Sequence, residues 1–300
     1  GNSPTTITDD CYHVFITEGL SSAAVLDGVT ITYGNANGSG TISYSGRTFD
    51  RDKGGGLYVT IISGYTSPTL EDVIINYNTA AFGGGMYNDK SSASLTGLNI
   101  HNNTSTNKGG GMYNYDSPLT LSGVTIENNS CVNEGGGMNN QYSGNITITE
   151  TYIAGNTADE GGGMHNYSSS PTLTNVTISG NTASTNGGGI MNTDTSTITL
   201  TNVIISGNSA NYGGGITNNG SSLTIMNASI YGNAATIAGG GLINIGTPTI
   251  TNTIFWGNTQ GSSASVAGAD IYTAGGTVTI TYSLVQLASS SYTSGNNNAL

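Results

Sequence analysis

Three hundred residues with 47 glycines and only 7% Asp, Glu, Lys and Arg cannot cover their surface with ion pairs, so polar contact must come from Asn, Ser, Thr and Tyr. A net charge of −12, with all five basic residues (Arg47, Arg51, Lys53, Lys90 and Lys108) ahead of residue 109, excludes nucleic acid and anionic lipid as partners, because phosphate contacts need clustered cations. No apolar run is long enough to insert in a membrane, and the β-branched and Leu positions recur too regularly for a disordered tail.

Taken in chain order, the first strand-forming unit begins near Ala24 and closes on Asn35. An insertion at 36–53 follows, ending in SGRTFDRDK with Arg47, Asp50, Arg51, Asp52 and Lys53. Alternating signs in such a loop read as a solvated, self-paired surface. No cofactor is expected; calcium is the one ion these acids could hold.

From Gly54 the chain becomes periodic. GGG begins at Gly54, Gly83, Gly109, Gly135, Gly161, Gly187, Gly213 and Gly239; the first interval is 29 residues and every later one is 26. A second motif precedes each triplet, clearest as PTLTNVTISGNTA at 171–183, and further copies near Val278 bring the count to ten. Within a unit, Leu173, Val176 and Ile178 alternate with threonines in runs too short and too β-branched for helices. A 26-residue coil with about three such strands cannot bury its apolar side chains alone, so coils must stack. The expected fold is all-β: one domain over 1–300, a right-handed parallel β-helix of about ten rungs of ~26 residues. The triplets supply positive φ or close backbone approach at sharp bends, and Met86, Met112, Met138 and Met164, also 26 apart, mark an inward column.

Two asparagine columns follow from the stacking. One holds Asn88, Asn114, Asn140, Asn166, Asn192, Asn218 and Asn244; the other holds Asn78, Asn103, Asn129, Asn156, Asn181, Asn208, Asn233 and Asn258, with Asn35 as an early copy. An amide both donates and accepts, so identical residues on successive coils can bond along the axis as a structural ladder.

The pairing of GGGMYN or GGGMHN with I-x-G-N-T-A resembles the repeats of polymorphic outer-membrane-protein passenger domains. With CYHVFITEG at the start and TIFWGNTQ near the end, it resembles secreted right-handed β-helix repeat proteins of the pectate-lyase-like superfamily. That resemblance covers nearly the whole chain and implies export to an extracellular or cell-surface location, with a role in adhesion or in building a surface layer.

Some members of that superfamily cleave polysaccharides, so lyase or hydrolase chemistry has to be weighed. Glu134 and Glu160 fall in register before successive triplets, about 5 Å apart by rung rise, close enough for a carboxylate pair; Lys108 before them and Asn186 after make the column read as an ordinary exposed one. Asp159 stands beside Glu160. His13, His101 and His165 occupy different repeat positions and assemble no metal site. The chain is therefore read as a non-enzyme. Cys11 and Cys131 lie about four rungs, ~19 Å, apart, too far for an internal disulfide, so they are free or pair between molecules. Tyr87 and Tyr113, in register, offer a surface-contact stripe for sugar rings or a neighbouring molecule, or else a half-buried face of the coil. The favoured function is a structural protein that self-assembles, end to end or side by side, into a cell-surface fibre, sheath or stalk; a surface adhesin or glycan-binding passenger is the alternative.

Overall fold

The computed structural model describes residues 12–44, 46–60, 67–261, 269–286 and 292–294. Among them every regular element is a β-strand, and no helix is long and apolar enough to cross a membrane. One coil illustrates the rest. Ser170–Thr174 lies in the first sheet, Thr177–Ser179 in the second, Thr182–Asn186 in the third and Ile190–Thr193 in the fourth. Each strand pairs in parallel with its counterpart one coil on, giving sheets of 11, 10, 9 and 10 strands. The chain is a right-handed parallel β-helix.

Two expectations need correction. Nine coils carry all four strands, and eight full turns separate Leu57 from Ile271 along the fourth sheet; the tenth repeat, at Val278, contributes strands to the first two sheets. Each coil holds four strands rather than three. The overlooked one, in the third sheet, buries only small inward residues such as Ala80 and Ala183, so it carries no strong apolar signal.

The interior is one continuous core built from axial columns of apolar side chains. Ile100, Ile126, Ile153, Ile178, Ile205 and Ile230 in the second sheet are all fully buried. Burying each such side chain stabilises the fold by ~1.5–3 kcal/mol. The triplets serve both purposes expected of them. Gly187 adopts φ +66°, whereas at Gly188 a Cβ would lie 2.4 Å from the backbone oxygens of both Ser209 and Gly214. The first glycine of a triplet is thus conformational and the second makes room for the next coil.

The ladder from Asn78 to Asn258 is continuous. Asn129 Nδ2 donates to Asn156 Oδ1 at 3.0 Å and to the Ile100 carbonyl at 2.9 Å, while its Oδ1 accepts from both N and Nδ2 of Asn103. The same arrangement recurs down the column through Asn181, Asn208 and Asn233. Gly34, not Asn35, occupies the ladder position of the first coil: its N–H donates to Asn78 Oδ1, and Asn35 pairs with Thr79. At the far end Asp270, in register with Gly241, supplies the acceptor in place of a further asparagine and accepts from Asn258 Nδ2 at 2.6 Å.

The second column runs from Asn88 through Asn114, Asn140 and Asn166 to Asn192 with Nδ2 to Oδ1 distances of 2.8 Å, then breaks. Asn192 Nδ2 and Asn218 Oδ1 are buried without a partner. The turn from Asn192 to Ser196 is one residue longer than that from Asn166 to Ser169, and Asn218 Nδ2 turns to the Ser221 carbonyl and to Asn244. A serine column that the sequence reading missed reinforces the same corner: the N–H groups of Ser91, Ser117, Ser143 and Ser169 each donate to the hydroxyl of the next serine.

Candidate functional site: a groove on the fourth sheet

Strands of the fourth sheet point their first residue inward and their second outward. The outward residues form one axial column, Tyr58, Tyr87, Tyr113, Asn139, His165, Met191, Thr217, Ile243 and Tyr272. From Tyr58 to Ile243 every member is buried although it faces away from the core. The cause is the bend at the triplets, which folds the end of the third sheet against the fourth. Asn139 Nδ2 reaches Glu134 Oε2 at 3.2 Å and Thr217 Oγ1 donates to the Tyr212 carbonyl at 3.0 Å, each across five residues. The column is therefore the floor of a groove. Phe82, Lys108, Glu134, Glu160, Asn186, Tyr212 and Ala238 stand along one side of it.

The groove has three regions. Over the first coils the insertion fills it. Residues 36–53 contain an antiparallel hairpin, Thr41–Tyr44 with Arg47–Asp50. Phe49 packs edge-on against Tyr58 at 6.1 Å, and Tyr58, Tyr87 and Tyr113 continue as a chain of tilted rings 5.0 and 5.3 Å apart. Tyr87 and Tyr113 are thus only 3% and 5% exposed, so the surface stripe expected of them is a covered face. Burial pushes both phenols well above their ordinary range. Two of the insertion's cations have local partners: Lys53 Nζ lies 2.7 Å from Asp50 Oδ2, and the Arg51 guanidinium sits 3.9 Å over the Tyr12 ring.

The middle region is polar. Lys108 Nζ lies 2.9 Å from Glu134 Oε2 and 3.1 Å from Gln141 Oε1, which also accepts from the Tyr113 hydroxyl at 2.6 Å. Glu134 and Glu160 are bridge partners on adjacent coils, as their spacing implied. Unforeseen is His165 between them, with Nδ1 3.6 Å from Glu134 and Nε2 3.9 Å from Glu160. Asn139 Nδ2, 3.2 Å from Nδ1, leaves the ring proton on Nε2. Burial lowers the imidazole to about 4, against the opposing pull of the Glu134 charge. Burial also opposes ionisation of Glu134, yet that carboxyl is held below its usual range by His165, Lys108 and Asn139. With His165 uncharged at neutral pH, Lys108 is the cation responsible.

Beyond Glu160 the groove opens. A cavity of about 680 Å³ runs along the axis from Glu160 and Asn186 to Tyr272 and Ala274. Met191, Thr217, Ile243 and Tyr272 line it, with Tyr212, Ile237, Ala238, Ile245 and the amides of Asn219 and Gln260. None of its lining residues is basic.

The remaining expected site residues lie apart. Cys131 is buried, its Sγ donating to the Asn107 carbonyl at 3.1 Å and its thiol pushed up by burial, so it is not placed to pair with another molecule; Cys11 lies outside the described residues. His13 is buried against Gly54 and Tyr58, and His101 sits beside Asn76 and Tyr77 on another face. No group of three or more His, Cys, Asp or Glu side chains able to hold a metal occurs among the described residues.

The fold defines a β-solenoid with a lateral groove along its fourth sheet. One comparison with known proteins bears on the fold: residues 118–255 match the family model described as a right-handed beta helix region. No curated protein and no solved structure matches the chain.

Proposed function

We propose that this β-helix is an extracellular surface protein that binds an extended glycan chain in the open groove of the fourth sheet. The observation that carries this reading is the shape and chemistry of that groove. It is long, parallel to the axis and floored by apolar side chains. The rings of Tyr212 and Tyr272 line it, and amides border it. Sugar rings present apolar faces and hydroxyl edges, and a tyrosine ring beside an amide suits both. The absence of basic residues from the lining argues against acidic polysaccharides. Placement outside the cell draws support from the resemblance to secreted repeat proteins and from the scarcity of Lys and Arg, which gives trypsin-like proteases little to cut. Calorimetric titration with oligosaccharides of four to six sugars tests the reading: Tyr212→Ala with Tyr272→Ala should weaken binding by about tenfold or more. Binding unchanged in that folded double variant would sink it.

A second reading, self-assembly into a surface fibre, draws on a different face. On the second sheet Trp256 and Tyr231 are register neighbours, 52% and 47% exposed, beside the exposed Ile204 and Ile254. Aromatic side chains so presented are enriched in protein contacts. Sedimentation at micromolar concentration should show association that Trp256→Ser removes; a monomer throughout would dismiss this role.

A further inference from the structure

We infer that the groove's ligand is an amino-sugar chain with free amines, and that Glu160 is the residue that selects it; this rests on the glycan reading above. Glu160 stands at the head of the open groove with its side chain about one third exposed. Its Oε1 accepts from Asn186 Nδ2 at 2.8 Å, which orients the carboxylate. Among the described residues no Lys or Arg pairs with it. The nearest charge partner, His165, is buried and presents an uncharged imidazole at 3.9 Å. Lys108 is engaged with Glu134 and Gln141, and no Lys or Arg occurs from residue 109 onward.

Glu160 is the one charged side chain among the described residues that line the open groove, and it is an acceptor. A ligand matching it must bring donors and a positive charge. A protonated sugar amine supplies both, and charge-assisted hydrogen bonds to a carboxylate are the strong ones. The net charge of −12 favours the approach of such a chain over any acidic polymer.

The test is calorimetric titration of the intact chain at pH 6 with three probes of equal length: a glucosamine oligomer, its fully N-acetylated counterpart and a cello-oligosaccharide. The expected result is binding of the glucosamine oligomer at least about tenfold tighter than either neutral probe, a preference that Glu160→Gln abolishes while weaker neutral binding persists. Equal affinity for all three, or a preference that survives Glu160→Gln, overturns the assignment to Glu160 and leaves the glycan reading standing. Failure of the folded wild-type chain to bind any probe overturns both. Far-UV circular dichroism of the variant guards against misfolding, and Glu160→Asp, which keeps the charge, should retain part of the preference.

Discussion

The two ends of the fourth sheet's outer face use the same repeat position for different purposes. At Tyr58, Tyr87 and Tyr113 the outward residue belongs to a secondary core, roofed by the hairpin; at Met191, Ile243 and Tyr272 it floors an open groove. The backbone is the same in both halves, register for register. What separates the two halves, among the described residues, is the hairpin, which joins the column at one end through Phe49 on Tyr58 and has no counterpart over Met191 and Ile243, although those side chains are as buried as the tyrosines.

Removing the cover should therefore convert one half into the other. Phe49→Ala with Ile42→Ala strips the apolar face of the hairpin from Tyr58 and Tyr87; we expect a loss of about 3–5 kcal/mol by urea denaturation, the cost of truncating large buried side chains. A loss below about 1 kcal/mol would mean that the tyrosine column holds itself and the comparison fails.

The polar middle sharpens the contrast through pH. His165 has a pKa lowered to about 4 from an ordinary 6.5, so between those values the unfolded chain binds a proton that the folded chain does not. Stability should fall as pH drops from about 6.5 towards 4, by up to about 3 kcal/mol. Glu134, whose folded value is depressed, acts in the same direction: its contribution is present above the unfolded pKa and is lost as pH falls through the folded one. His165→Gln should flatten most of the slope between pH 6.5 and 4 in melting experiments, whereas an unaltered slope would place its origin elsewhere.

The smallest effect belongs to the open half. Tyr272→Ala should change stability by no more than about 1 kcal/mol, since the side chain is half-buried on the last strand of the fourth sheet and lies outside both apolar clusters. A loss as large as that at Phe49 would make the groove a structural seam.

The spacing of the glycines and asparagines made the solenoid and both ladders legible, because stacking places every residue 26 positions on beside its predecessor. Tyr87 and Tyr113 were legible as a column but not as buried, since their cover comes from Lys53 over the Tyr87 ring and from Phe82 and Tyr115 against Tyr113, placed there only by tertiary packing. His165 looked unrelated to Glu134 and Glu160 because it occupies a different repeat position. The five-residue reach across each triplet was the signal that could have joined them, as it joins Asn139 to Glu134. The serine column was hidden among many serines and by a spacing that stretches from 26 to 27 at Ser196.

The ladder of eight asparagines has an electrical consequence. Each Nδ2 points toward the following coil and each Oδ1 toward the preceding one, from Asn78 to Asn258, so the amide dipoles add along the axis as peptide dipoles do in a helix. The rod acquires a positive end at its last rungs, and the carboxylate of Asp270 lies there against Asn258. In this place an acid is better than a ninth amide: it terminates the series with the charge that the aligned dipoles favour, and gives the solenoid a built-in direction.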